Sequence, residues 1–327
     1  MAKSSLFIEK PVGKKALDLA RKHFPAGSNG KRGKADATIN ALAHMYEIVA
    51  ETKPITGRGV GYRLLNRGVI TTMANMNAVY VQLVCAREEG LIPWDWIVDE
   101  TRDLEIGVSY ATRKSAYETL IYNYAHPLWL SQPHDCEIWS EKGTIRGLIK
   151  QILDEYRLGL RVFHGYTSAT CLYEVATELK RPVVALYIGD HDPSGCDMRE
   201  SDIPKRLDRY GKMVGVDIKV DFRVVALTAE QISKHGLPSV PAKPKDPRYN
   251  EYVREHGTSC WELDALDPRT LREILREQVE TLIDWEAWNE AKEVERNWRR
   301  EFEGAVRRWA GVEDPLSDQI QDAMRWA

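Results

Sequence analysis

The spacing of apolar residues divides the chain into a helical first part and a second part in which strands and helices alternate. In the first part apolar positions recur every three or four residues, which is typical of amphipathic helices. We expect three helices and then a short strand, at 36–50, 56–66, 73–89 and 94–98. Three helices followed by a strand is the order of a winged helix-turn-helix domain, and a generic small helical domain is the alternative.

From Asp135 onward the hydrophobic period changes, and short apolar runs alternate with helical patterns. The predicted strands of this part lie at 136–139, 160–164, 183–188 and 218–227. Strand–helix units of this length predict a parallel sheet with covering helices. The run 183–188 has only apolar and aromatic residues, so we expect it to be buried on both faces. In such sheets, binding sites form at the carboxyl ends of the strands.

Acidic residues follow two of these predicted strands. Asp190 and Asp192 come directly after the run 183–188, and Glu141 comes shortly after the strand at 136–139. Side chains at i and i+2 of an extended segment point the same way, so the two aspartates could aim at one point. Mg²⁺ prefers such oxygen ligands. The alternatives are an Asx turn at the aspartates and a favourable helix-dipole position for Glu141.

Other kinds of site find less support in the motifs. The chain has neither a Gly-Lys-Ser/Thr phosphate loop nor a GxGxxG turn after a strand, so a nucleotide-binding loop is not expected. His191 and Cys196 are potential zinc ligands, but no second ligand pair accompanies them in sequence. The five cysteines are scattered without CxxC spacing, which indicates reduced thiols in a cytoplasmic protein.

Composition describes an ordinary globular chain with a basic start. The 327 residues carry a net charge of −3, and no apolar run approaches the ~20 residues that a membrane span needs. Residues 1–34 hold nine Lys/Arg and two acids, a local balance of +7. This segment is interpreted either as a flexible arm that follows phosphates or as a solvated tail. No secretory signal is apparent at the N-terminus, and we expect no membrane partner.

The motifs together resemble a known family. Glu141 after one strand, the turn Gly165–Ser168, and Gly-Asp-His-Asp-Pro-Ser-Gly at 189–195 are similar to a Toprim domain, the metal-binding fold of topoisomerases, bacterial primases and several nucleases. The last motif resembles the A subunit of topoisomerase VI and its relative, the meiotic double-strand-break protein. The likeness extends through Glu262-Leu263-Asp264-Ala265-Leu266 and covers roughly residues 40–285.

The resemblance implies a nucleophilic tyrosine. In that family the winged helix supplies a tyrosine that follows an arginine by four residues, and this chain has Arg58 and Tyr62. Positions i and i+4 share a helix face, so Arg58 could lower the phenol pKa by stabilising its anion. Tyr62 would then attack a DNA phosphate and form a covalent intermediate. Where relatives often have a second aromatic residue this chain has Gly61, and the alternative is that Tyr62 is a core residue.

The expected fold class is therefore α/β: an N-terminal winged helix-turn-helix domain, then a Toprim domain with a parallel sheet, then a helical C-terminal extension. The expected boundaries are a basic arm at 1–35, the winged helix at 36–131, the Toprim domain at 132–270 and the extension at 271–327. The resemblance implies Mg²⁺, or Mn²⁺, held by Glu141, Asp190, Asp192 and, as a weaker candidate, Asp197. Glu141 is also expected to act in catalysis, together with Arg58 and Tyr62. The candidate DNA contacts are Lys31, Arg32, Lys34, Arg63, Arg67 and Lys142.

The expected function is Mg²⁺-dependent cleavage of double-stranded DNA, by a DNA-associated cytoplasmic protein. The family further implies a homodimer, in which one subunit's tyrosine works with its partner's metal site, and a separate B-type ATPase subunit for strand passage. Two alternatives remain. One is a Toprim nuclease that uses metal-activated water without a covalent intermediate, and the other is a non-catalytic DNA-binding or assembly protein.

Overall fold

A computed structural model describes residues 6–25, 34–98, 109–163, 169–215 and 220–310. The helices are α1 Lys14–His23, α2 Asp36–Thr52, α3 Gly57–Asn66, α4 Met76–Glu88, α5 Arg113–Asn123, α6 Ile145–Tyr156, α7 Ala169–Glu178, α8 Pro193–Asp197, α9 Ile203–Val214, α10 Ala229–His235, α11 Tyr249–His256, α12 Pro268–Glu280 and α13 Trp285–Ala310. The strands are β1 Ile55–Thr56, β2 Ile97–Val98, β3 Asp135–Ser140, β4 Gly159–Val162, β5 Val183–Ile188, β6 Val220–Ala226, β7 Val240–Pro241 and β8 Ser259–Cys260.

The chain divides into two compact units. One contains residues 1–101 and 136–281, and the other contains residues 102–135 and 282–327. The first unit therefore joins the N-terminal helices to the sheet. The boundaries of the four predicted segments, 1–35, 36–131, 132–270 and 271–327, stay a prediction.

The three predicted helices of the first part are confirmed as α2, α3 and α4. Thr56 begins α3, because its hydroxyl accepts a hydrogen bond from the N–H of Gly59 and so satisfies one of the free donors at the helix start. Gly68 and Gly90 follow α3 and α4 with positive φ, a conformation in which glycine meets no side-chain clash. The apolar faces of these helices share one core, which includes Leu42 and Val60.

The strand predicted at 94–98 is shorter than expected. Residues Trp94–Trp96 form a 3₁₀ turn, and only β2 is extended. It pairs in parallel with β1, so that Ile55 lies opposite Ile97. A two-residue parallel pair differs from an extended wing strand, and the winged-helix assignment stays a prediction.

The central sheet has four strands in the order β4-β3-β5-β6, and the pairs β3–β4 and β5–β6 are parallel. The α/β class and the parallel sheet are thus confirmed. All six residues of β5 are buried, as their apolar sequence predicts. The strands β3 and β5 are neighbours, so the segments that follow their carboxyl ends meet at one edge of the sheet.

Helix α8 begins at Pro193, directly after Asp192. Proline is favoured at a first helical position because its missing N–H would have no partner there. A π-helical turn at Met198–Asp202 then separates α8 from α9. The turn Gly165–Ser168, part of the family resemblance, lies outside the described residues.

The second unit is helical in its described part. Helix α5 is followed by a 3₁₀ turn at Leu128–Ser131. Its residues pack on α13, with Tyr124 stacked on Phe302 and Trp129 edge-on to Trp288. Trp288 and Phe302 of α13 thus pack against this segment, whereas Trp285 and Trp298 are about half exposed. No helix within the described ranges has the length and apolar content that crossing a membrane would take.

Candidate active site

A cavity of about 600 Å³ in the first unit collects charged side chains from α3, from the segments after β3 and β5, and from the turn after β8. Its charged lining residues are Arg58, Glu141, Lys142, Asp190, Glu262 and Asp264. Four carboxylates thus face two cations. A cavity with this excess of negative charge is suited to bind a further cation.

Lys142 lies between two of the carboxylates. Its Nζ is 2.7 Å from Asp190 Oδ1 and 3.1 Å from Asp264 Oδ2. Burial would lower the pKa of the Lys142 ammonium, but the two carboxylates outweigh burial and raise it. Asp190 Oδ1 also accepts the N–H of Leu263 at 2.7 Å. The ammonium therefore acts as the counter-ion of both aspartates.

Glu141 lies beside Asp190, whose N–H donates to Glu141 Oε1 at 3.2 Å. Burial raises the pKa of the Glu141 carboxyl to about 7, and the negative charges of Asp190 and Asp192 add to this shift. Lys142 lowers the pKa by a smaller amount because it is engaged elsewhere. The negative charge of ionised Glu141 is therefore only partly compensated, and a bound cation would stabilise it.

The remaining predicted metal ligands lie differently. Asp192 caps α8, where its Oδ1 accepts the N–H of Gly195 at 2.7 Å. A Cβ at Gly195 would lie 2.4 Å from the Asp190 carbonyl oxygen, so this tight turn requires glycine. Only Asp190 of the aspartate pair lines the cavity, and Asp192 acts on Glu141 through its charge. Asp197 lies at a different cavity, beside Cys196.

The chemistry of the lining residues fits Mg²⁺. Glu141, Asp190 and Asp264 offer hard carboxylate oxygens, and an ammonium already occupies the position between two of them. This Lys142 ammonium stands in for a bound cation. Glu141 and Asp190 would hold the metal ion, with Asp264 beside them.

Sequence reasoning missed Glu262 and Asp264 as site residues. Asp264 accepts a hydrogen bond from Thr56, the residue that caps α3. Glu262 forms a two-fold ion pair with Arg58. The signal was present, because these acids have the same i, i+2 spacing as Asp190 and Asp192, and their segment was part of the family resemblance. They attach α3 to the turn beside the aspartates.

Tyr62 is completely buried, with 0% of its surface exposed. Its hydroxyl oxygen has no well-formed hydrogen bond in the structure. Burial raises the pKa of Tyr62 and the Glu262 carboxylate raises it further, while Arg58 lowers it by less. Arg58 thus does lower the pKa of the phenol, as expected, but burial and the Glu262 carboxylate outweigh it, and the pKa of Tyr62 is raised overall.

Gly61 allows α3 to approach α4. A Cβ built at Gly61 would lie 2.0 Å from Met76 Sδ, within a fully packed interior. This close contact requires glycine at position 61.

We expect Gly61→Tyr to lower the free energy of unfolding by about 3 kcal/mol or more, because the ring must displace Met76 from the core. Urea denaturation would measure this loss. The double variant Gly61→Tyr/Met76→Ala should lose less than the sum of the two single variants, since the second change makes room. Equal stability of Gly61→Tyr and the wild type would contradict the described packing.

The candidate DNA contacts are mostly engaged within the protein. Arg63 is 17% exposed and faces Asp267, and Arg67 pairs with Glu47 and Glu51. Arg67 and Lys142 thus pair with acidic neighbours, and Arg63 lies 3.9 Å from Asp267, so a role of these three residues in DNA contact stays a prediction. Lys34 donates to Gln82 at 2.8 Å. The other two candidates, Lys31 and Arg32, lie outside the described residues.

In comparisons with known proteins, neither a family model nor a curated protein matches the chain.

Proposed function

We propose that this protein cleaves the DNA backbone in a Mg²⁺-dependent reaction at the cavity of Glu141 and Asp190. The observation that carries the proposal is the convergence of two largely buried carboxylates, Asp190 and Asp264, on the Lys142 ammonium, beside the carboxyl ends of β3 and β5. Such a cluster favours a cation, and a cation beside a phosphodiester lowers its barrier to attack. The motif resemblance to the topoisomerase VI A subunit supports DNA as the substrate.

The chain's own residues have distinct parts in this proposal. Glu141 and Asp190 hold the metal ion, which neutralises and orients the scissile phosphate when bound. Glu141 is also the carboxylate that would accept a proton from the attacking oxygen. Lys142 keeps Asp190 and Asp264 compensated when no metal is present.

The attacking group is either Tyr62 or a water molecule. The complete burial and raised pKa of Tyr62 favour water, and thus a nuclease without a covalent intermediate. The resemblance favours Tyr62, which would have to leave its buried position and reach the metal site of a partner subunit. We retain Tyr62 as the second candidate, with Arg58 as its support.

The N-terminal helices are proposed to hold duplex DNA in the manner of a winged helix, with the third helix of the set, α4, near the major groove. The basic residues 1–35 would add phosphate contacts. A homodimer, a B-type ATPase partner and association with DNA in the cytoplasm belong to the same proposal. They follow from the resemblance to the topoisomerase VI A subunit.

Cleavage of supercoiled plasmid tests the proposal directly. The wild type should nick or linearise the plasmid with Mg²⁺ or Mn²⁺ and lose this activity with EDTA. Asp190→Asn should reduce cleavage at least about 1,000-fold, because removing a metal ligand removes the transition-state stabilisation it supplies. Asp197→Asn is the matched control, since Asp197 lies at a different cavity. Intact duplex binding without cleavage in any form, also with a B-type partner added, would favour the non-catalytic alternative.

Tyr62→Phe separates the two attacking groups. Because the hydroxyl is buried without a well-formed hydrogen bond, its removal should leave stability unchanged or raise it by about 1 kcal/mol. If water attacks, Tyr62→Phe cleaves normally. Loss of cleavage in this stable variant, with DNA covalently attached to the wild type, would instead identify Tyr62 as the nucleophile. Tyr80→Phe is the control, since Tyr80 lines the cavity and is 40% exposed.

A further inference from the structure

A second group of metal-binding side chains lies on the other side of the aspartate turn. His191, Cys196 and His256 each offer one ligand atom, and these atoms all lie within 4.8 Å of one another. The two histidine rings are nearly perpendicular, with centroids 4.9 Å apart. In tetrahedral zinc sites the ligand atoms are about 3.3–3.8 Å apart, as zinc–nitrogen and zinc–sulfur bond lengths require. A small inward movement of these side chains would bring the three ligand atoms to such distances.

We propose that His191, Cys196 and His256 bind a structural Zn²⁺ ion, with Glu200 or Glu255 as the fourth ligand. Glu200, Glu255 and His256 form a second group within 4.8 Å, so His256 is shared by both groups. One thiolate, one carboxylate and two neutral imidazoles would balance the charge of the metal ion. Imidazole and thiolate ligands select zinc over magnesium.

The surroundings of His191 suit a metal ligand. Its Nδ1 lies 3.3 Å from the carbonyl oxygen of Leu227 and 3.2 Å from Arg199 Nη2, which can only donate. Metal binding at Nε2 takes the tautomer in which Nδ1–H donates to Leu227, so Arg199 Nη2 must turn away from Nδ1 when the ion binds. The backbone of His191 is fixed as well, by hydrogen bonds in both directions with Trp261. The buried guanidinium of Arg199 also contacts Nδ1, and it pairs with Glu200 at 3.1 Å. The Glu200 carboxylate thus compensates Arg199, while Lys205 and Arg248 line the same cavity as Cys196 and His256.

The sequence alone does not predict this site. His191 and Cys196 lie five residues apart on a turn and a short helix, while His256 ends α11, sixty residues farther along. This spacing matches no zinc-finger pattern, and only the fold brings the third ligand to the first two. Tyr252 of the same helix adds to the contact, because its hydroxyl lies 3.1 Å from the His191 carbonyl oxygen.

The proposed zinc ion would position the catalytic turn. His191 stands between Asp190 and Asp192, so a metal bond at His191 fixes the backbone that presents Asp190 to the cavity. It would also tie this turn to α11. Zinc binding itself does not depend on the proposed DNA cleavage, and it can be measured without substrate.

Cobalt titration tests the site. Reduced, chelator-treated full-length protein is titrated with Co²⁺ in excess Mg²⁺, which occupies hard carboxylate sites. The expected result is one equivalent bound, with visible bands of tetrahedral Co²⁺, a near-ultraviolet thiolate-to-cobalt band, and displacement by Zn²⁺. Wild-type protein without the thiolate band would overturn the proposal.

Variants assign the ligands. Cys196→Ser should lose the thiolate band, and His256→Gln should weaken Co²⁺ binding by more than the roughly 10–100-fold that loss of an outer-shell partner costs. Cys171→Ser and His235→Gln are matched controls that should bind as the wild type does. If Cys196→Ser fails to fold, the thiolate band of the wild type and the Co²⁺ affinity of His256→Gln still test the site, because His256 is partly exposed. Unchanged affinity in His256→Gln would refute the assignment.

Discussion

Lys142→Met is expected to lower the free energy of unfolding of the metal-free protein by about 3 kcal/mol. The change leaves Asp190 and Asp264, whose side chains are only 14% and 9% exposed, without their shared counter-ion. Breaking a buried ion pair by removing one partner costs about 3–5 kcal/mol, and the partial exposure of Lys142 places this case at the lower end. Urea denaturation in the presence of EDTA would measure the loss.

The same variant should respond more strongly to Mg²⁺ than the wild type does. Without the ammonium, a bound cation has no competitor for Asp190, so saturating Mg²⁺ should restore most of the lost stability. Lys150→Met is the matched control, because Lys150 is 70% exposed and its pair with Asp154 contributes at most about 1 kcal/mol. If the two methionine variants were equally stable in EDTA, Lys142 would not be the internal counter-ion.

The free energy of unfolding of Glu141→Gln, relative to that of the wild type, should increase with pH. The folded-state pKa of Glu141 is raised from about 4.5 to about 7, so the folded protein binds the proton more tightly than the unfolded chain does. The protonated group contributes stability fully below pH 4.5, and this contribution is lost as the pH rises through 7. Relative to Glu141→Gln, the metal-free wild type should therefore lose about 3 kcal/mol between pH 4.5 and pH 8.

Chemical denaturation across this pH range, in EDTA, gives the measurement. Glu277→Gln, a change at an exposed position of α12, controls for the effect of removing a carboxylate as such. Mg²⁺ should reduce the difference at pH 8, because the cation compensates the ionised carboxylate. If the free energies of unfolding of Glu141→Gln and the wild type differed by the same amount at all pH values, folding would not disfavour the ionised form of Glu141.

The fold was predictable where a single local signal decided the structure. The apolar run of β5 predicted a buried strand, and the recurrence of apolar residues every three or four positions predicted α2, α3 and α4. The strand at 94–98 was overestimated, because its tryptophans are equally compatible with a 3₁₀ turn, and the local pattern does not specify how far β2 pairs with β1.

The candidate site was predictable only in part. Glu141 and Asp190 follow neighbouring strands, and the rule for parallel sheets brought them together correctly. Asp264 and the counter-ion role of Lys142 depend on contacts between residues 122 positions apart in sequence, which no local pattern specifies. Tyr62 illustrates the same limit, since its helix position was correct but its burial depended on tertiary packing.

The ion pair between Arg58 and Glu262 couples the position of α3 to the charge of the cavity. Arg58 is one of only two cations that line the described cavity, and it belongs to α3 rather than to the sheet. The electrostatic potential at Glu141 is therefore set partly by an element outside the sheet, held there through Thr56 and Arg58. If α3 withdrew, the lining would change from two excess negative charges to three. The attraction of the cavity for metal ions would then grow, and its repulsion of phosphate would grow with it.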